Sequence, residues 1–351
     1  MKTIVCLVSR QVMANLIPIF THKVQKVELL YTKEEERAHI NLKRVLNATK
    51  RKFKINEHLI DAYDFEGIRD VCSKIISQNK DIVLNATGGT KVMALAAYSV
   101  FNSANKPILY LDSQNNRTIN FNPYSISDHN IKIPIDTILD AHGYGISSTI
   151  SKDDLIDRKP LIKFMHKNFK SIESCLIQYR RFMNDGVYMF SPIICRNPKF
   201  EITHHRIKGV NVSFEGAEMH LEDVYYLDGH WLEEYVYWSI KTKKWDDLLV
   251  GVTLTYHGQE NTNNVLNEVD VMGNKNGKLY LFSCKSGITK DKKDLFELEA
   301  LRSLAGGTFG KAYFVTSAPI SKDKHLYERC QELKIKIFDK DSFRTLLRKK
   351  F

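Results

Sequence analysis

Three short segments put charged side chains where an apolar setting rejects them unless they are used. The first is Gly229-His230-Trp231-Leu232-Glu233-Glu234-Tyr235-Val236, the start of an amphipathic helix. The second is Asn267-Glu268-Val269-Asp270-Val271-Met272. The third is Leu279-Tyr280-Leu281-Phe282-Ser283-Cys284-Lys285-Ser286-Gly287. A charge inside an apolar strand is costly unless it is paired or binds a metal. Asp270 and Lys285 both sit in such strands. Phosphodiester hydrolysis accounts for all three segments. Carboxylates hold a hard divalent cation, which polarises phosphate and acidifies bound water. A lysine stabilises the developing negative charge or orients the attacking water. For either residue alone, a structural Asp–Lys salt bridge explains the pattern as well; the joint pattern favours hydrolysis.

A second constellation lies far upstream. Ile82-Val83-Leu84-Asn85 reads as a strand, Ala86-Thr87-Gly88-Gly89-Thr90 as a turn, and Lys91 onward as a helix. Glycines let backbone approach a ligand, and free amides at a helix N-terminus favour phosphate. Thr87, Thr90 and Lys91 add hydroxyls and a cation. The plainer alternative is a tight strand-to-helix turn capped by Thr90. The order Gly-Thr-Lys is not a Walker A loop, and GxGxxG is absent, which disfavours a nucleoside triphosphatase or an NAD enzyme.

The elements that must position these groups alternate. Strands are expected at Ile4–Val8, Val27–Tyr31, Asn56–Ile60, Ile82–Asn85 and Pro107–Asp112. Helices are expected at Glu34–Lys50 and Phe65–Ser77. This alternation implies a parallel, helix-covered sheet that binds ligands at the carboxyl ends of its strands. Ser151–Asp185 reads as a charged helical connector, expected to carry a domain rotation. A meander follows, with strands around Ile207–Phe214. A second α/β unit is then expected. Its helices are Asp228–Lys241, Lys292–Leu304 and Lys322–Leu333. Its strands are Leu248–Tyr256, Val265–Gly273, Lys278–Cys284, Lys311–Thr316 and Lys336–Phe338.

Ala-Thr-Gly-Gly-Thr-Lys after the fourth strand resembles the CRISPR-associated Rossmann fold (CARF) domains, over roughly residues 1–135. The turn Ser9-Arg10-Gln11 sits where that family places a second ligand loop. The resemblance implies a homodimer that binds a cyclic oligoadenylate through Ser9, Arg10, Gln11, Thr87, Gly88, Gly89, Thr90 and Lys91. The downstream segments resemble PD-(D/E)xK nucleases, with Asp270 as the motif Asp and Lys285 as the motif Lys. Glu234, or else Glu233, would be the helix carboxylate. The implied Mn²⁺ or Mg²⁺ site takes Asp270, Glu234 and the Cys284 backbone carbonyl. One departure stands out: Ser283 occupies the place of the motif acid. Glu268, on the same strand face as Asp270, is the candidate to compensate.

Together the halves resemble the CARF nucleases of type III CRISPR defence, activated by cyclic tetra-adenylate, which cleave DNA or RNA. The expected fold is α/β. A Rossmann-like CARF domain spans 1–138, a helical connector 139–190 and a restriction-endonuclease-like α/β domain 191–351. The alternative keeps the sensor but makes the C-terminal domain a non-catalytic nucleic-acid binder. A further alternative is a restriction-like enzyme with an unrelated regulatory domain.

Composition agrees with a polyanionic partner. The 351 residues carry a formal net charge of +11, ending in Arg348-Lys349-Lys350, and a basic balance of this kind favours nucleic acid. Apolar runs are strand-sized, so no membrane span is expected. Ile4–Val8 reads as a strand rather than a signal peptide. The scattered cysteines (Cys6, Cys72, Cys175, Cys195, Cys284, Cys330) suggest neither a zinc ribbon nor a disulfide framework, in keeping with a reducing cytoplasm. His204-His205 reads as surface, Trp231, Tyr235 and Trp238 as core, and Asn263-Asn264 as loop. His257 is a minor candidate for the nuclease cleft.

Overall fold

A computed structural model describes residues 2–185, 193–204, 209–257, 267–287, 293–320 and 324–348. His205, Asn263, Asn264, Lys349 and Lys350 lie outside the described residues.

The N-terminal sheet has seven strands in the order β3-β2-β1-β4-β5-β6-β7. The first five are parallel: β1 (Thr3–Leu7), β2 (Lys26–Tyr31), β3 (Lys54–Leu59), β4 (Ile82–Asn85) and β5 (Ile108–Asp112). A hairpin of β6 (Arg117–Phe121) and β7 (Tyr124–Asp128) extends the edge antiparallel. Four helices connect the parallel strands: α1 (Met13–Thr21), α2 (Glu36–Ala48), α3 (Phe65–Gln78) and α4 (Lys91–Ser103). Every residue of β1 is buried, as a central strand covered on both faces requires. The chain order reverses between β1 and β4, which makes their carboxyl ends the switch point.

α5 (Ile135–Ala141) leads to β8 (Tyr144–Ser148) and then to α6 (Lys152–Asp185), a single helix of 34 residues. An antiparallel meander follows: β9 (Ile193–Asn197), β10 (Phe200–His204), β11 (Val210–Phe214) and β12 (Ala217–Leu221). A π-helical turn at Tyr226–His230 enters α7 (Trp231–Ile240). The second α/β unit is built from β13 (Asp247–Tyr256), β14 (Asn267–Lys275), β15 (Lys278–Lys285), α8 (Lys293–Leu301), β16 (Lys311–Thr316), α9 (Lys324–Glu332) and β17 (Lys336–Phe338). Its sheet runs β17-β16-β15-β14-β13-β8.

The structure changes the reading of the connector in two ways. β8, inside the segment expected to be helical, pairs antiparallel with β13 and forms the edge of the second sheet. α6 buries Phe164, Phe169, Ile172 and Tyr179 in one cluster with Trp231, Tyr235 and Phe282. It is therefore a core helix of the second domain, and any rotation of that domain carries it along. It also brings Cys175 against β9, where it forms a disulfide with Cys195. Cysteines 20 residues apart look unrelated in sequence until helix and strand pack.

The two sheets share a core. Met13 and Ile17 of α1 fall in one buried cluster with Met272, Leu279 and Leu281 of the second sheet. Polar ties cross the same boundary: Asp247 accepts from the Ile135 amide at 3.2 Å, and Asn274 donates to the Ile133 carbonyl. Among the described residues, no helix is long and apolar enough to cross a membrane.

Candidate nuclease centre and sensor pocket

β14 and β15 pair in the printed ladder as far as Val271 opposite Phe282. Beyond that pair the Asp270 carboxylate accepts the Cys284 amide at 2.5 Å. A carboxylate thus takes up the place of a ladder bond where the strands part. Lys285 ends β15, and its ammonium stands 3.7 Å from Asp294 of α8. α7 lies over this fork and buries both its acids, Glu233 at 7% exposed and Glu234 at 0%.

The two glutamates have different surroundings. Glu234 accepts from Arg158 of α6 at 2.7 Å and from the Tyr226 hydroxyl at 2.8 Å. Glu233 shares its electrostatic environment with Asp270, Glu268 and Lys285. Glu234 is therefore not placed as the metal-binding carboxylate expected of it; Glu233 is. Burial, then repulsion from Asp270 and Glu268, pushes the Glu233 carboxyl up to about 9. Burial likewise raises Asp270 to about 6, against the pull of the Cys284 amide and Lys285. Burial alone would lower Lys285, but Asp270 and Asp294 outweigh it and hold its ammonium above the ordinary lysine value.

Clustered carboxylates that resist ionisation suit a divalent cation, which supplies the missing positive charge. Glu233 and Asp270 are the residues that would hold it. Among the described residues, no three acidic, histidine or cysteine side chains already converge at ligand spacing. Glu268 is exposed and acts on the centre through its charge. Ser283 is half-buried on β15.

Two neighbours of this centre escaped the sequence reading. Asp294 meets Lys285, and His230, bonded to Asp223 at 2.6 Å, feels the charges of Glu268 and Asp270. The helical spacing Asp294 to Leu301 shows a core face and gives no sign that its first acid faces β15. His257, a minor candidate for this cleft, instead lies 2.7 Å from Asp140 of α5.

In the N-terminal domain the Gly88 and Ser9 loops follow adjacent strands. A Cβ on Gly88 would lie 2.2 Å from the Leu7 carbonyl oxygen, so only glycine lets the loops close up. Gly89 has φ +75°, a conformation that favours glycine. Thr90 caps α4, accepting from the Met93 amide at 3.2 Å and donating to the Ala62 carbonyl at 3.0 Å. The Thr87 hydroxyl donates to Asn85 at 2.6 Å and accepts the Leu111 amide at 2.8 Å. Asn85 and Asn15, both fully buried, tie this loop to α1 and β1. Neither residue stood out in the sequence, because a buried Asn carries no periodic signal.

A cleft of about 740 Å³ opens here, lined in part by Ser9, Thr32, Asp61, Tyr63, Gly89 and Thr90. Lys33, Glu34 and Glu35 also line it. Lys91 is exposed at the start of α4, and Arg10 pairs with Glu35 at 3.2 Å. Gln11 departs from the expected set. It packs against Gly307 and lines a separate cleft with Arg302, Lys311 and Lys336 at the boundary with the second sheet. The turn from Arg10 into α1 aims it there.

Residues 3–137 match the Card1 CARF domain family, and residues 221–350 match the Card1-like endonuclease domain family. The chain joins a Card1-type CARF domain to a Card1-like endonuclease domain. No curated protein sequence matches it. Similar solved structures include Can2 from Sulfobacillus thermosulfidooxidans in complex with cyclic tetra-adenylate. That likeness has a TM-score of 0.77 at 20% identity and covers 99% of this chain and 98% of that one. Protein VC1899 from Vibrio cholerae has a TM-score of 0.80 at 18% identity, covering 99% and 96%. A type III CRISPR defence DNA nuclease activated by cyclic oligoadenylate has a TM-score of 0.56 at 16% identity, covering 90% of this chain and 46% of that one. At these identities the likeness is one of fold. The CARF domain holds the glycine loop and its cleft. The endonuclease domain holds Glu233, Asp270 and Lys285 at the β14–β15 fork.

Proposed function

We infer that this protein is a metal-dependent nuclease of type III CRISPR defence, switched on by cyclic tetra-adenylate and acting as a homodimer on DNA, RNA or both. The observation that carries the reading is the buried Glu233–Asp270–Lys285 centre in a chain that also bears a CARF cleft. Mn²⁺ or Mg²⁺ held by Glu233 and Asp270 would polarise the scissile phosphate and acidify an attacking water. Lys285, fixed between Asp270 and Asp294, is placed to offset charge that builds on the phosphate. The Cys284 amide orients Asp270.

In the CARF cleft the free amides at the start of α4, with Lys91, are suited to the activator's phosphates. Glu34, Glu35 and Asp61, on the cleft's other elements, are suited to accept hydrogen bonds from adenine amino groups. A two-fold symmetric ring matches a two-fold protein site, which supports the dimer. α1 packs against the second sheet directly below the Ser9 loop, so a shift in that loop reaches the endonuclease domain without crossing a linker.

The test incubates the protein with Mn²⁺ and plasmid, single-stranded DNA or RNA, with and without cyclic tetra-adenylate. Cleavage only in its presence is expected. Equal cleavage without it would remove the activator from the reading. No cleavage of any substrate would leave a sensor whose second domain only binds nucleic acid.

A further inference from the structure

One face of α6 is accounted for by the core residues Phe164, Phe169, Ile172 and Tyr179. The other face carries His166, Lys170, Glu173, Ile177, Arg181 and Asn184. Their spacing of three or four places them in one stripe. This stripe walls two adjoining clefts of about 450 and 500 Å³, which share Phe169 and Lys340. Gly287, Ser317 and Lys340 face it across the first cleft, and Arg344 faces it across the second.

The first cleft begins at the nuclease centre. Gly287 is two residues beyond Lys285, and the Ser317 amide donates to the Lys285 carbonyl at 3.3 Å. Arg180 pairs with Asp228 at 3.1 Å, and the Asp228 carbonyl accepts the Ser286 hydroxyl. From Arg181 back to Lys170 the groove follows α6 for roughly 16 Å.

Its charge is one-sided. Lys340 is matched by Glu173 at 2.6 Å. Among the described residues no carboxylate pairs with Lys170, Arg181 or Arg344; Arg344 donates to the His166 carbonyl. Like charges held along one groove repel each other until a polyanion neutralises them. Ile177, Ala318 and Pro319 add apolar surface between the cations, where sugars and bases can lie.

We propose that this groove is the track for the phosphodiester backbone of the strand being cut, leading it to Asp270 and Lys285. The proposal rests on the nuclease reading of that centre. The occupant is a nucleic acid rather than an acidic protein, because the groove opens onto the fork and its free cations repeat along one helix.

Binding is tested in the full-length Asp270→Asn protein, with a labelled single-stranded oligonucleotide followed by fluorescence anisotropy over a salt titration. The parent is compared with a version that also carries Lys170→Gln and Arg181→Gln. Both positions are exposed, so the melting temperature and the affinity for cyclic tetra-adenylate should not move. Affinity should fall alike for all oligonucleotide sequences. The slope of log affinity against log salt should shrink by about 2, one for each lost phosphate contact. Unchanged affinity and slope would overturn the track, whatever the cleavage assay gives. In the cleavage-competent chain the same pair should raise KM and leave kcat in place. If the wild type cleaves nothing but the pair still weakens binding as stated, the groove stands as a nucleic-acid surface and the nuclease reading falls.

Discussion

Glu233 and Glu234 are neighbours in sequence but belong to separate charge systems. Glu234 is held between Arg158 and Tyr226, and Glu233 faces the acids of the β14–β15 fork. The difference predicts opposite phenotypes. Glu233→Gln should lower cleavage by about 100-fold or more, as loss of a preorganised charge at a reacting centre typically does, with little change in melting temperature. Glu234→Gln strips Arg158 of its partner and should cost roughly 1–3 kcal/mol of stability. Thermal melts beside cleavage rates decide it; loss of chemistry in Glu234→Gln with an unchanged melt would reverse the assignment.

Asp270→Asn keeps shape but removes a charge, and Lys285→Ala removes the cation at the fork. Each should reduce cleavage by about 100-fold or more while activator binding persists in the other domain. Ser283→Glu should tighten Mn²⁺ binding by adding an acid beside Asp270, and Glu268→Gln should weaken it. Rates across a Mn²⁺ titration are the measurement. Wild-type activity in Asp270→Asn would remove the centre altogether.

The raised carboxyls give a pH signature. Glu233, near 9, and Asp270, near 6, bind protons more tightly folded than unfolded. Their contribution is fully present below the ordinary carboxylate range. It is lost as pH rises through about 6 for Asp270 and about 9 for Glu233. Metal-free protein should therefore lose stability from neutral to alkaline pH, and Glu233→Gln should flatten that loss. Melting temperatures against pH in chelator test this; parallel curves for the two proteins would contradict it.

Lys91→Ala should weaken cyclic tetra-adenylate binding without disturbing the fold, because the side chain is exposed. Gly89→Val should weaken it and also destabilise the domain. Its φ of +75° costs a side-chained residue about 1–2 kcal/mol, and a Cβ there would meet Leu7 at 2.9 Å. Calorimetry on Lys91→Ala is the cleaner experiment, and unchanged affinity would move the activator off this loop.

The protein should be a dimer at micromolar concentration, with or without activator. Light scattering that finds only monomer in both states would leave the cleft without a second half for a symmetric ring.

The sequence by itself determined the residue types that can do chemistry and most of the elements bearing them. β4, β16 and β17 match the expected spans residue for residue, because short apolar runs bounded by turns fix a strand locally. Glycine at 88 and 89 followed from the same local logic. Tertiary structure decided what depends on facing. Neighbours on a helix point about 100° apart, so only α6, by bringing Arg158 to Glu234, could leave Glu233 to the fork. Gln11 looked like a ligand residue beside Ser9, yet the turn into α1 aims it at Gly307. The segment 139–190 read as a connector because its charged stripe is visible in sequence. The partners that bury its other face come from 200 to 343 and exist only once the chain has folded. The same packing pairs Cys175 with Cys195 and makes β8 an edge strand of a sheet whose other members begin about a hundred residues later.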